Sequence, residues 1–401
     1  MTTLPVRPCS AGFRYWSALA AFAGGLIGGA SVQAESRPPT ATARSEANAT
    51  KALRVVRFED NPVIRPDMVP GEDGANICYP SVIRVPDWLP NPLGEYYMYF
   101  ADHKGAYVRL AYANRVEGPW TVYRPGTLKL ETAVDAARKA VAASGQDSAE
   151  VKGGHIGSPD VHVDDERKEI RMYFHFKIQP NESWGHRSAV ALAKDGRQFR
   201  IVSTKPIGEP YFRVFKWEGQ YFAVTRSASL ARSRDGLQDF VVGNQRFAEA
   251  IGNKVLDRPP VPEVLKKATQ RAGKDDEEVA AGQIRHTALK LDGNVLTVFY
   301  SRGGELPEQL YCSTAKLEGD WTTWRLSAPV PVLRPETDYE GANVPPKSPS
   351  HPELRKIPRP MFNEVRDPCI FRDDGRTYLF YSVAGERGIA GAEIFDQAAT
   401  R

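Results

Sequence analysis

A three-strand unit recurs five times between Tyr79 and Ile394, and nothing else in the sequence restricts the fold so strongly. Each copy has a short apolar strand opening beside a Pro or His, a second strand rich in Tyr and Phe, and a third carrying small residues. The first copy reads Tyr79 to Ile83, Tyr96 to Phe100 and Arg109 to Ala113; the second, Ser158 to His162, Ile170 to His175 and Ala189 to Ala193. The third reads Glu209 to Val214, Gln220 to Val224 and Ser229 to Arg232; the fourth, His286 to Lys290, Val295 to Tyr300 and Leu310 to Ser313. The fifth reads Asp367 to Phe371, Thr377 to Tyr381 and Ile389 to Ile394. Connectors repeat as well: Glu117-Gly118-Pro119-Trp120-Thr121 matches Glu318-Gly319-Asp320-Trp321-Thr322, and Lys194-Asp195-Gly196 matches Arg234-Asp235-Gly236. Turn residues such as Asp292-Gly293-Asn294 and Asp373-Asp374-Gly375 join first and second strands as hairpins. A meander cannot bury both faces alone, so five in a ring predict an all-β, five-bladed β-propeller whose core lies between blades. A β-sandwich would not explain the repeated connectors.

The excess length falls between the copies. Glu131 to Ser144 has helical periodicity, Pro262 to Ala281 is a charged helical stretch, and Arg334 to Pro360 is Pro-rich. All three lead into the start of an inner strand, so they are expected to rim one mouth of the propeller, where loops tune binding.

Ahead of the repeats, Arg7 and Arg14 precede an apolar run from Ala18 to Val32 and the small-residue site Val32-Gln33-Ala34. Residues 1–34 are expected to be a signal peptide cleaved after Ala34, residues 35–52 a flexible tether, and residues 53–401 the propeller. The apolar run is short for a membrane span and holds four glycines. A secreted or periplasmic location follows, with no membrane span after cleavage. Cleavage also removes Cys9, leaving Cys78, Cys312 and Cys369 without a CxxC or a Cys/His spacing for zinc, so they read as small core residues. A net charge of +4, or +2 without Arg7 and Arg14, and the absence of a basic tract argue against a nucleic-acid partner. They suit a neutral ligand.

Residues that open the inner strands should converge on the axis: Tyr79, Asp160, Glu209, Arg285-His286 and Arg366-Asp367. Carboxylates gathered there would stabilise a core poorly, because burying them without partners is costly. They suit a binding or catalytic site.

The pattern resembles the five-bladed propeller glycoside hydrolases, the superfamily of families 43, 32, 62, 68 and 117. The resemblance runs from Asn61 to the C-terminus and rests on Asn61-Pro62-Val63-Ile64, on Glu209-Pro210 with the hairpin through Phe222, and on Arg366-Asp367-Pro368 with the hairpin through Ser382. It implies Glu209 as general acid and Asp160 as a supporting carboxylate, and it likens His286 to an axial His that sometimes stands beside water or a cation. The family has an Asp in blade one where this sequence has Tyr79, so Asp367 and Asp160 become the candidates for the base. No cofactor is required by this reading, though an axial or structural cation such as calcium fits it.

Glycoside hydrolysis needs a protonated carboxylic acid at the leaving oxygen and a carboxylate serving the other face of the sugar. The catalytic candidates are therefore Glu209, Asp160 and Asp367; Tyr79, His286, Arg285, Asp102, His103 and His155 are candidates for substrate contacts. For Asp367 a salt bridge with Arg366 is the simpler alternative, and for His286 a structural hydrogen bond. Trp88, Trp184 and Trp217 could stack on sugar faces, while Trp120 and Trp321 suit packing between blades. The expectation is an exported glycoside hydrolase acting on oligo- or polysaccharides, with a non-catalytic carbohydrate-binding propeller as the alternative.

Overall fold

The computed structural model describes residues 53–145, 147–149, 151–179, 186–203, 205–251, 284–346 and 360–396. The expected signal peptide and tether, Trp184 and the charged stretch from Pro262 to Ala281 lie outside the described residues.

Five four-stranded antiparallel sheets form the five blades. Strand β1 (Leu53–Arg57) comes first in the chain, and β2 (Cys78–Arg84), β3 (Tyr96–Ala101), β4 (Arg109–Ala113) and β5 (Thr121–Tyr123) make blade one. Helix α1 (Leu130–Ala143) precedes blade two, which comprises β6 (Lys152–Asp164), β7 (Glu169–Gln179), β8 (His186–Ala193) and β9 (Arg200–Ile201). Blade three is β10 (Arg213–Trp217), β11 (Gln220–Val224), β12 (Leu230–Ser233) and β13 (Val241–Asn244). Blade four is β14 (Ile284–Asp292), β15 (Val295–Arg302), β16 (Leu310–Lys316) and β17 (Val330–Leu333). Blade five takes β18 (Val365–Asp373), β19 (Arg376–Val383) and β20 (Ile389–Asp396) from the end of the chain and its outer strand, β1, from the start. The repeat thus has a fourth strand that the sequence pattern lacks. These outer strands are short and half exposed, so they carry little apolar signal.

The second strands explain why the ring holds. Tyr96 to Ala101 is buried throughout, because its two faces pack on different neighbours. Tyr97 and Tyr99 point into a core shared with Ile170, Met172 and Phe174 of blade two, whereas Met98 and Phe100 join Phe371 and Phe380 of blade five. The repeated connectors are contacts between blades. Tyr99 donates its hydroxyl to the Gly196 carbonyl at 2.7 Å, and one blade further on Tyr173 does the same to Gly236 at 2.9 Å. In each connector the Asp side chain, Asp195 or Asp235, accepts the N–H groups two and three residues on and fixes the turn. Trp120 packs edge-on against Phe380 of blade five, and Trp321 against Phe222 of blade three, so each tryptophan seals its blade to the preceding one.

Helix α1 matches the predicted periodicity; Ala133, Val134, Ala137 and Val141 face the blade-two core. The described part of the Pro-rich segment, Arg334 to Pro346, is tied to blade five through Glu340, which accepts hydrogen bonds from Arg57 at 2.8 Å and Tyr381 at 2.8 Å. No helix among the described residues is long and apolar enough to cross a membrane.

Candidate active site

One backbone feature recurs in all five blades and sets the register of the axis. Tyr79, Ser158, Tyr211, His286 and Asp367 each adopt a positive φ, between 43° and 63°, although none is glycine. Such backbone is costly for ordinary residues, by roughly 1–3 kcal/mol each, and clusters where side chains must be aimed. In four of the blades it accompanies a register shift in the inner strand, and the residue after it is Pro80, Pro159, Phe212, Thr287 or Pro368.

This register corrects two expectations. Blade three aligns through Tyr211, so Glu209 stands two residues upstream, in the column that holds Ile77, Ile156, Ile284 and Val365 in the other blades. Asp160 does not open its strand either: the column residue is Ser158, and β6 already runs from Lys152 because its hairpin with β7 is extended. Asp160 lies one layer further along the axis, with Ser81, Arg213, Ala288 and Cys369, lining a cavity of about 700 Å³ that includes Trp88 but neither Glu209 nor Asp367. Between this cavity and the mouth Arg213 crosses from blade to blade, donating to the Thr287 carbonyl at 2.8 Å and to Ser158 at 3.3 Å. Burial alone would raise the Asp160 carboxyl, but His162 at 3.0 Å, the Arg213 charge and the Val214 N–H hold it below the usual carboxylate range. Asp160 is thus paired within this cavity, which neither Glu209 nor Asp367 lines, so the three expected catalytic carboxylates are not gathered there.

On the mouth side, Tyr79, Tyr211 and His286 meet around the axis, with ring centroids 4.9 Å apart for Tyr79 and His286 and 4.4 Å for Tyr211 and His286. Beneath them Asp367, its side chain fully buried, lies 3.3 Å from His286 Nε2. Burial, opposed by the Arg366 charge and reinforced by Glu386, pushes the Asp367 carboxyl up to about 7. Burial drives His286 the other way, well below its usual value, with Arg285 and Arg366 adding to the effect. Near neutrality the pair is therefore a neutral imidazole beside a carboxyl poised to gain or lose a proton.

An ionic network supports this pair. Arg366 bonds Glu386 and lies 3.4 Å from Glu364, and Arg285 lies 3.3 Å from Glu308. His103 joins through Nδ1, 3.0 Å from Glu386 and 2.9 Å from the Tyr79 hydroxyl, while Asn76 donates to Glu386 at 2.6 Å. Tyr79, His103, Arg285, His286 and Asp367 thus lie in one cluster. Asp102 is not among them: it caps Lys104 N–H and faces Arg109 at 3.6 Å. Glu209 sits at the rim, half-buried, accepting the Ser227 N–H at 2.9 Å, with Arg226 over the Tyr211 ring. His155 stands beside His175 and His186 on blade two.

Glu308, Glu364, Glu386, His175, His186 and Tyr211 escaped the sequence reading. His175 and Tyr211 carried a signal, since the first interrupts an apolar strand and the second follows a strand-opening Pro; His186 merely starts its strand, and the glutamates sit in loops. Two sets of side chains lie close enough to share a metal ion: His155, His175 and His186, and Cys78, Asp367 and Glu386. In the second, Arg366 already supplies the counter-charge, and burial beside Glu386 and Asp367 holds the Cys78 thiol protonated. That set does not fit a cation.

The strand order and the axial columns define a five-bladed β-propeller with its polar centre at one mouth. No protein-family model matches the chain. It belongs to the same family as the uncharacterized protein R118 of Acanthamoeba polyphaga mimivirus, with which it shares 36% identity over 352 residues covering 85% of this chain and 90% of R118. Among solved structures, an exo-1,5-alpha-L-arabinanase from a bovine ruminal metagenomic library has 11% identity and a TM-score of 0.46, covering 80% of this chain and 92% of that one. An alpha-L-arabinofuranosidase from Lactobacillus brevis has 11% identity and a TM-score of 0.44, covering 84% and 94%.

Proposed function

We propose that the protein is an exported glycoside hydrolase whose reaction centre is the mouth that contains Asp367 and Glu209. The observation that supports it best is the state of Asp367: a carboxyl on the axis, raised to about 7 and facing a neutral His286 at 3.3 Å. A base poised near the working pH is the most effective kind. In this reading Asp367 takes the proton of the attacking water, and Glu209, which precedes the inner strand of blade three, protonates the leaving oxygen. Tyr211 presents a partly exposed ring to a sugar, with the buried Tyr79 and His286 packed against it, and Arg285 and Arg366 keep the surrounding carboxylates paired. Asp160 has no part in it.

Tyr79 closes over the axis and is itself buried, which favours the second reading of a propeller that binds glycans without cleaving them. Turnover of nitrophenyl glycosides and of plant or algal oligosaccharides separates the two. A hydrolase loses about 10²–10⁴-fold in kcat on Glu209→Gln and on Asp367→Asn. Binding across a broad panel without turnover by the unaltered chain would replace the hydrolase with the binding protein, and turnover untouched by Glu209→Gln would remove the acid assignment.

A further inference from the structure

Blade two carries three histidines that no step above uses. They come from three successive strands: His155 on β6, His175 on β7 and His186 on β8. Lys177 is the register partner of both His155 and His186, and His175 lies two residues from it, so all four side chains leave the same face of the sheet. The three imidazoles are almost equidistant, with centroids 5.3, 5.3 and 4.9 Å apart, and each pair of rings is steeply inclined, at 82°, 74° and 73°. One ring nitrogen from each lies within 4.8 Å of the others. His175 is fully buried, and its Nδ1, like His186 Nε2, has no hydrogen-bond partner among the described residues. Buried polar atoms are nearly always satisfied, so two orphaned nitrogens in one cluster call for a ligand.

We infer that His155, His175 and His186 form a binding site for a divalent first-row transition ion of the zinc type. Three imidazoles and an open fourth position are the donor set of catalytic zinc centres, and bonds of about 2.0–2.1 Å place the nitrogens about 3.3 Å apart. Modest rotation of the two half-buried rings at the edge, His155 and His186, closes the remaining gap. Calcium is the wrong ion, because it takes oxygen ligands. Lys177 and Arg226 add positive charge near His186, so binding must come from imidazole bonds rather than from Coulomb attraction, and salt should weaken it little. The spacing of the three in sequence resembles no zinc motif because strand pairing, not a local loop, brings them together. The site stands apart from the hydrolase reading, although Tyr211 packs against both His175 and His186 and links it to the axis.

The test uses the full-length, untagged chain, stripped with a chelator and titrated with Zn²⁺ against a chromophoric competitor, then with Co²⁺ followed by visible absorption. One equivalent of Zn²⁺ should bind, Co²⁺ should give the intense bands of a four-coordinate site, and His186→Gln and His175→Ala should each weaken binding by about 100-fold or more. Because His175 is in the core, its variant is judged only if circular dichroism shows it folded; His186→Gln, nearer the edge, decides the matter otherwise. Failure to bind Zn²⁺, binding unchanged in His186→Gln, or binding abolished by Asp367→Asn instead would each overturn the assignment. None of these readouts depends on glycoside turnover.

Discussion

Asp367→Asn should make the protein more stable relative to wild type as the pH rises. In the folded chain the carboxyl is pushed up to about 7, against an ordinary 3.8, chiefly by burial. A folded value above the unfolded one means that the group contributes stability fully below the unfolded value and loses it as pH rises through the folded value. Between pH 5 and pH 8 roughly two pK units of that contribution vanish, about 2–3 kcal/mol. Asparagine cannot ionise and escapes the loss. Its absolute effect includes hydrogen bonds that the new amide makes or misses, but that term is the same at both pH values and cancels in the comparison. For a domain of roughly 350 residues the unfolding entropy is about 0.7 kcal/mol/K, so the melting-temperature difference, variant minus wild type, should widen by about 3–4 °C from pH 5 to pH 8. Paired thermal melts followed by circular dichroism at the two pH values measure it. A difference that stays constant, or narrows, would mean that Arg366 and Arg285 hold Asp367 ionised and that burial does not dominate. The base assignment would then lose its physical ground.

The same carboxyl sets a pH profile: as a base it must be ionised, so kcat/KM on any cleaved glycoside should rise with pH and level off above about 7, a limb that vanishes in Asp367→Asn. Arg366→Met leaves Glu364, Glu386 and Asp367 buried without their cation and should cost about 3–5 kcal/mol in denaturant unfolding at pH 8; a loss below 1 kcal/mol would show that the network is not held by this guanidinium. Glu340→Ala removes the acceptor shared by Arg57, Tyr381 and two backbone N–H groups, and a loss of about 2–4 kcal/mol is expected from the same measurement. Burial raises the Cys312 and Cys369 thiols to about 12 and the Cys78 thiol well above its usual value, so these three should resist a thiol reagent in the native protein and react in denaturant.

Five blades were legible in the sequence because each second strand is apolar on both faces and each connector repeats its turn chemistry, signals that lie within a few residues of one another. The axial register was less legible. Pro80, Pro159 and Pro368 do mark the column, and Pro210 looks like a fourth marker, yet the backbone turns at Tyr211 instead. Positive φ on Tyr, Ser, His and Asp leaves no compositional trace of the kind glycine leaves. A shift of one or two residues along a strand exchanges the mouth for the lower cavity, and that is how Asp160 came to be expected beside Asp367. The charge network was invisible for another reason: Glu308, Glu364 and Glu386 are ordinary loop glutamates in the sequence, and only the fold of blade four sets the first beside Arg285 and that of blade five sets the other two beside Arg366.

Strand β1 pairs with β20 along its whole length, Leu53 with Asp396 through Arg57 with Ala392. A chain emerging from the ribosome can complete blades one to four as it appears, but β1 lacks its partner until β20 is out. Closure is thus the most non-local event in folding, and it carries the largest loop entropy. Until it happens, β1 and β20 present unpaired edges, the places where two copies could exchange strands. Mutations that loosen the Arg57–Glu340 clasp are therefore expected to raise the yield of strand-swapped dimers during refolding at high concentration, with little effect on blades one to four.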